Sequence, residues 1–413
     1  MAPLTPTRRA IALFTLALGG FGIGVTEFAS MGLLPDIARE LLPGYDESPE
    51  TVIARAGVLI TAYALGVVVG APVFAVLAAR MQQARLTYLL LGLFILGSVA
   101  SAVVPTFGSL AIFRFIAALP HGAYFGVASL IAARIMGPGM QGRGVALALS
   151  GLTIANVFGV PIATWLGQTS GWRSAYVLVA AIFVVTLVLA LIFLPRYPGD
   201  RTRSPMKELS ALANVRVWIM VAVGAIGFGG FFAVYSYIAE VTTRETGLGA
   251  HIVPWVLACL GVGMTIGNLL GGWASDKSMS RTISWGFASF IVSLIAYSFL
   301  AQTAVGLFVS VFFIGLTSSS LIPTIQTRLI RISHESALLG AAINHAAFNV
   351  GNSLGAWLGG LVIAAGLGYR APGWVGVALA VAGLLLAGLS LAVERRDKTR
   401  SLNTVGLPVV GEL

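Results

Sequence analysis

The stretch "GGFGIGVTEFASMGLLPD", Gly19 to Asp36, sets one carboxylate in a run that admits almost no other charge. From Ile11 to Leu34 every residue except Glu27 is uncharged, and most are apolar. A helix of about 20 such residues, rising about 1.5 Å each, crosses the hydrocarbon core of a bilayer. The run therefore reads as a membrane span that holds a single acid.

Working outward, the rest of the 413-residue chain has the same character. It is 57% hydrophobic and 10% charged, with a mean hydropathy of +0.93. A soluble chain carries roughly a quarter charged residues, so lipid must be the solvent for most of this one. Its 50 glycines suit membrane helices, where they let backbones approach closely. About twelve apolar runs are long enough to span. They are Arg9–Leu33, Thr51–Ala79, Ala84–Val104, Phe107–Met136, Arg143–Gly167 and Ser174–Leu194, then Val217–Glu240, His251–Ser275, Thr282–Leu300, Ala304–Ile330, Ser336–Gly366 and Gly373–Val393. The start "TRRAIALFTLALGGF" is read as a retained first span, because its apolar segment is too long for a signal peptide.

The net charge of +10 would suggest nucleic acid in a soluble protein. Its placement points to the membrane instead. With the N-terminus inside, about 19 Lys and Arg fall in inner segments and about 5 in outer ones, as the positive-inside rule expects. Both termini are expected in the cytoplasm, with the chain multi-pass in the plasma membrane. The lone Cys259 excludes an internal disulfide and is expected only to pack.

Six spans, a charged linker and six more suggest duplication: a first half over 1–195, a linker over 196–216, a second half over 217–394, and a disordered tail over 395–413. "GVPIATWLG" (Gly159 to Gly167) matches "GNSLGAWLG" (Gly351 to Gly359), and "GAPVFAVLAAR" leaving span 2 aligns with "GNLLGGWASDK" leaving span 8. The offsets are 192 and 197 residues. Internal repeats of this kind mark secondary transporters, which bind substrate near the midplane between halves.

Four stretches carry a family resemblance: "GVTEFASMGLLPDIA" in span 1, "FRFIAALPHGAYFGV" in span 4, "SGLTIANVFGVPIATWLGQTSGWRSAY" in span 5 and "AAFNVGNSLGAWLGG" in span 11. Across essentially its whole length the chain resembles the major facilitator superfamily. More narrowly, it resembles the twelve-span drug/proton antiporter branch, near arabinose-efflux-like and chloramphenicol-efflux-like exporters. The resemblance implies an all-α fold of twelve transmembrane helices in two pseudo-symmetric six-helix halves. It also implies an antiporter motif around Gly151, Gly159 and Pro161, and an inner-loop gate at Gly272, Asp276, Lys277 and Arg281. In the first half that gate is degraded to Arg80 and Arg85, with Ala79 where the family keeps Asp. Ala163 stands where many relatives carry Gly. The resemblance further implies that spans 1, 4, 7 and 10 line the central cavity.

Glu27 and Arg114 lie about 9 Å and about 8 Å below the outer surface, so a pair or a shared cavity is geometrically open to them. Either charge alone in lipid would cost several kcal/mol, so both are expected to face the bundle interior. Burial favours the protonated carboxyl and a nearby guanidinium favours the anion. Such a balance lets a proton and a substrate compete for one site. His121 lies two turns beyond Arg114 on the same face; it either relays protons or bonds a neighbouring carbonyl. His345, in span 11 with Asn344, is a further candidate for the substrate cavity, with Asn349 and Asn352 as packing groups. Tyr124, Phe125, Phe231, Phe232 and Tyr235 are candidates for an aromatic cavity wall, and Ser319 and Gln326 for hydroxyl recognition. Packing alone is the other reading of those aromatics. Glu240, near the outer surface, is read as solvated. Gly151, Gly159 and Pro161 are expected to bend span 5 and let it slide against span 8.

No P-loop and no metal-ligand cluster stand in the sequence, so neither ATP drive nor a cofactor is expected. The expected function is export of a small amphipathic drug-like or sugar-like compound in exchange for protons. The rivals are a metabolite importer or facilitator, a receptor that binds without transport, and a membrane enzyme. A receptor would want a large inner domain and an enzyme a polar cluster. The partners expected are substrate, protons and the bilayer, not nucleic acid, with the chain working as a monomer.

Overall fold

In a computed structural model, residues 5–78, 81–137, 140–196, 213–333 and 337–404 are described. They form helices and connecting turns, with no strand among the described residues. Twelve helical spans are long and apolar enough to cross a membrane. Spans 1 to 6 are Pro6–Gly32, Pro49–Ala71, Gln83–Val103, Phe107–Met136, Gly144–Ser170 and Arg173–Phe193. Spans 7 to 12 are Val215–Glu245, Ala250–Ser275, Met279–Leu300, Ala304–Ile332, Ile343–Ala364 and Ala371–Glu394. The even number brings the start of span 1 and the end of span 12 to one face, here the terminal face. Exposed apolar side chains such as Leu269 and Leu385 cover the outside, as lipid contact requires.

The packing repeats with the offset visible in the sequence. Gly66 and Gly70 of span 2 bring its backbone against the Phe115 and Leu119 carbonyls of span 4, where an added Cβ would overlap each oxygen. Gly263 and Gly267 of span 8 do the same against Phe312 and Leu316 of span 10. Every position is shifted by 197 residues (66 to 263, 70 to 267, 115 to 312, 119 to 316). The helix caps follow. Thr106 accepts from the Ser109 N–H at 3.2 Å to start span 4, and Thr303 accepts from the Gly306 N–H at 3.1 Å to start span 10. With no hydrophobic drive between helices in lipid, such glycine-backed contacts and capped ends supply the cohesion.

Several expectations change. Span 4 is not one helix: it breaks between Ala118 and His121, because Pro120 cannot donate the backbone bond that continuation needs. In span 5 a single π turn, Ala155–Gly159, stands just before Pro161. Gly151 and Gly159 pack against span 1, at Ala17 and Phe21, rather than against span 8. Span 5 meets span 8 elsewhere, through the Asn156 carbonyl on Gly261. The last helix continues to Thr404, so residues 395–404 of the expected disordered tail are helical. The segment from Glu394 to Thr404 holds strong helix formers and no Gly or Pro to stop it.

The first six spans meet the last six through spans 5 and 8 and through spans 2 and 11. Away from the terminal face they are joined by several hydrogen bonds. Gln168 Nε2 donates to the Ala250 carbonyl at 3.0 Å, and the Ser353 hydroxyl donates to the Thr61 carbonyl at 3.3 Å. The Tyr45 hydroxyl donates to Glu240 at 3.4 Å.

Candidate functional site

Span 1 is the most enclosed element of the first half because Gly20, Gly24 and Ala29 let neighbouring helices close on it. That enclosure turns Glu27 inward, where it is 6% exposed. Arg114 of span 4 is 1% exposed. The two do not form an ion pair. Arg114 Nη1 donates instead to the Thr26 carbonyl at 2.7 Å and to the Thr26 hydroxyl at 3.1 Å, one residue before the acid. Its guanidinium lies over the Tyr63 ring, 4.2 Å from the centroid, with Tyr176 at 5.7 Å. Tyr176 and Ser30 share a hydrogen bond of 3.0 Å. The arginine is thus clamped to span 1 by its donors and to spans 2 and 6 by its flat face. It leaves its Nε without a partner.

The Glu27 carboxylate lies beside His121, with Nε2 4.0 Å from Oε2. The ring Nδ1 lies 3.2 Å from the Tyr63 hydroxyl. Both ring nitrogens therefore face polar partners, and the helix break at Pro120 puts the ring at the first turn of a new helix segment. His345 of span 11 completes the cluster. Its ring centroid is 6.0 Å from that of His121 and 5.0 Å from that of Phe125, stacked on the latter at 11°. A chain of titratable groups, Glu27–His121–His345, thus runs from the first half of the molecule into the second.

Other candidates land elsewhere. Tyr124 donates to the Leu16 carbonyl at 3.0 Å and locks span 4 to span 1. Phe231, Phe232 and Tyr235 are buried ring on ring rather than lining open space. They also reach the first half, where Phe28 stacks on Phe232 at 6.3 Å and meets the Tyr235 ring edge-on at 5.3 Å. Ser319 is buried with an unbonded hydroxyl, and Gln326 is half-buried. Asn344 is buried with neither amide atom bonded. Asn349 donates to the carbonyl of His345 within its own helix, and Asn352 bonds nothing among the described residues, so neither shows the interhelical bonding expected of packing amides. Gly272 has open space around it, Lys277 sits on the Trp273 ring of its own helix at 3.6 Å, and Arg281 is exposed. Arg80 and the Asp276 side chain lie outside the described residues.

Glu240 overturns its reading as a solvated charge. It is 2% exposed and paired with Arg244 at 2.7 Å. Arg244 also donates to the Tyr45 hydroxyl at 3.3 Å. Burial, together with the Glu240 charge, pushes the Tyr45 phenol above its ordinary value, so it stays a neutral donor. The cluster borders a cavity of about 360 Å³ at the face opposite the termini. Sequence reading missed Tyr45, Tyr63, Thr26 and Tyr176. Only Tyr63, a hydroxyl in the apolar run "LITAYALGVVVG", offered a local signal.

The sequence pattern of the Major Facilitator Superfamily matches residues 16–244 and 218–410. The chain is 39% identical to the inner membrane transport protein YdhP of Escherichia coli (strain K12), covering 95% of this chain and 97% of that one. It is 31% identical to a chloramphenicol resistance protein of Streptomyces lividans, covering 91% and 95%. Among solved structures, a D-xylose-proton symporter superposes with a TM-score of 0.74 at 16% identity, over 91% of this chain and 96% of the other.

Proposed function

The chain belongs to the Major Facilitator Superfamily and is a membrane transporter, and from that premise we propose that it exports a small amphipathic compound in exchange for protons. One observation carries the reading: an acid within the first membrane span, buried inside the protein, stands 4.0 Å from a histidine whose ring in turn packs near His345 of the other half. Protonation of Glu27 removes a charge that the interior accommodates only with its neighbours' help. Proton binding therefore changes the relative free energies of the states that the two halves adopt.

In this reading Glu27 holds the coupled proton, His121 passes it, and Arg114 fixes the polarity of the site without taking part in transfer. Ser319, Asn344 and Phe125 contact the substrate. Their unbonded polar atoms and flat ring suit an amphipathic molecule, and an unsatisfied buried group costs about 1–3 kcal/mol until a ligand pairs with it. The chloramphenicol resistance of a relative supports export. The positive-inside bias supports a cytoplasmic terminal face. Tyr45 and Glu240 then close the outer side, and Asp276, Lys277 and Arg281 belong to the inner gate. The twofold repeat supports two rocking six-helix units acting as a monomer.

The test is a panel of toxic compounds against cells that overexpress the chain, followed by flux of any hit in reconstituted vesicles under an imposed pH gradient. Protection with gradient-driven flux supports the reading. Increased accumulation of the compound would show import, and flux indifferent to the gradient would remove proton coupling.

A further inference from the structure

Glu240 is 2% exposed, yet it borders the cavity of about 360 Å³ at the face opposite the termini. Arg39, with a side chain 59% exposed, lines the same cavity, so protons from solvent have a route to the buried carboxylate. Both halves contribute to the lining: Asp36, Arg39 and Tyr45 from the first, Glu240, Thr243 and Arg244 from the second. We propose that Glu240 is a proton-operated latch: its charge holds the halves together at this face, and its protonation lets them part. The proposal rests on the reading that Tyr45 and Glu240 close this face.

Two relationships give the latch its direction. The first is a triangle of polar groups that crosses the seam. The Tyr45 hydroxyl donates to Glu240 at 3.4 Å and accepts from Arg244 Nη2 at 3.3 Å, while Arg244 Nε stands 2.7 Å from Glu240. Only Tyr45 belongs to the first half. Bonds to an ionised acceptor are about twice as strong as neutral ones, so the charge on Glu240 strengthens the tie across the seam. The second is the balance of charge. The guanidinium of Arg39 lies 4.8 Å from the centroid of the Tyr45 ring and that of Arg244 lies 5.7 Å from it. Asp36 faces Arg39 at 4.0 Å as Glu240 faces Arg244, so the lining holds two acids against two arginines. Protonation of Glu240 breaks that balance and leaves an arginine of each half beside one ring, where like charges repel. Burial pushes the Asp36 carboxyl above its ordinary value, against the pull of Arg39, so acid adds to the same imbalance.

The other polar groups around the latch are accounted for. Tyr369, before span 12, lies 5.9 Å from the Arg244 guanidinium; burial and the charges of Glu240 and Glu50 hold its phenol neutral. Glu245 is taken by Arg370 at 3.1 Å. Gln168 ends span 5 and the exposed His251 precedes the body of span 8. Span 1 carries its acid, Glu27, elsewhere, beside His121. A proton on Glu240 therefore shifts the equilibrium between closed and open states of this face by the difference in its binding to the two.

The experiment uses the full chain in nanodiscs, spin-labelled at positions 47 and 304 with Cys259 replaced, and follows the distance distribution from about pH 8 to about pH 5. Glu27→Gln in every sample removes the response of that acid. With Glu240 present, acidification should raise the ratio of long to short distances about tenfold, the worth of one charge-assisted hydrogen bond. E240Q imitates the protonated acid, so its long component should be raised already at the higher pH and respond far less to acid. Adding D36N should remove the remaining response. E240Q/R244Q replaces the whole pair by neutral groups, leaves no unpaired cation if E240Q alone fails to fold, and should be as insensitive to pH as E240Q. No response to pH with Glu240 present, a response toward shorter distances, or a full response in E240Q each overturns the proposal. Opening in E240Q without a pH response in its parent sinks the latch alone and leaves the closure by Tyr45 and Glu240 standing. If E240Q and Tyr45→Phe both leave the distribution at the higher pH unchanged, that closure fails and the latch fails with it.

Discussion

His121 stands between Tyr63 and Glu27, with Nδ1 3.2 Å from the phenol and Nε2 4.0 Å from the carboxylate. The ring therefore links the acid, span 2 and, through His345, the second half of the molecule. This arrangement makes the acid and the histidine separable by mutation.

Glu27→Gln keeps the shape of the side chain and removes its titration. Folding and membrane insertion should persist, since no ion pair holds the carboxylate to Arg114, while acceleration of substrate flux by a pH gradient should be lost. Gradient-driven flux in vesicles reads the outcome, and a normal response in the variant would take Glu27 out of the mechanism.

His121→Gln should slow gradient-driven exchange yet leave gradient-independent counterflow of substrate largely intact, because only the proton route is cut. Tyr63→Phe removes one hydrogen bond from the ring, worth about 1 kcal/mol, and should alter the pH profile less than His121→Gln. Equal loss of exchange and counterflow in His121→Gln would mean that the ring supports the structure alone.

The contact between Tyr45 and Glu240 joins the halves at the face opposite the termini. Tyr45→Phe removes a bond of about 1 kcal/mol and should raise the population open at that face by about fivefold. Spin labels at positions 47 and 304, in a background lacking Cys259, report it as a longer distance component. No change in the distribution would show that the aromatic packing of Phe28 on Phe232 and Tyr235 closes that face unaided.

Gly70→Val and Gly267→Val should each lower the melting temperature clearly, since overpacking a close helix contact costs roughly 1–3 kcal/mol. The two should behave alike, because Leu119 and Leu316 present the same carbonyl to each. Gly92→Ala, with open space around it, is the control and should melt as wild type does.

The duplicated packing shows how much of the molecule was legible. The offset of 197 residues is visible where the stretch leaving span 2 aligns with that leaving span 8, and it recurs in the glycine contacts and the threonine caps. The ionisable groups of the candidate site do not repeat: the same offset takes Glu27 to Gly224, Arg114 to Val311 and His121 to Ser318. The sequence thus separated what builds the scaffold from what is particular to one half. It did so because glycine spacing and polarity are local properties of each helix.

Residue pairing was not legible. Glu27 and Arg114 sit at matched depths, yet the arginine binds Thr26 and the acid faces His121, since side-chain direction depends on helix rotation and on the break at Pro120. Glu240 looked cheap to hydrate near a span end until Tyr45, 195 positions away in the chain, covered it. Twelve hydrophobic spans, their repeat and the buried acid were determined by the sequence alone, because bilayer thickness and the cost of charge in lipid act on each segment separately. Which groups meet was decided only by the tertiary structure, because contacts between distant helices depend on how all twelve pack at once.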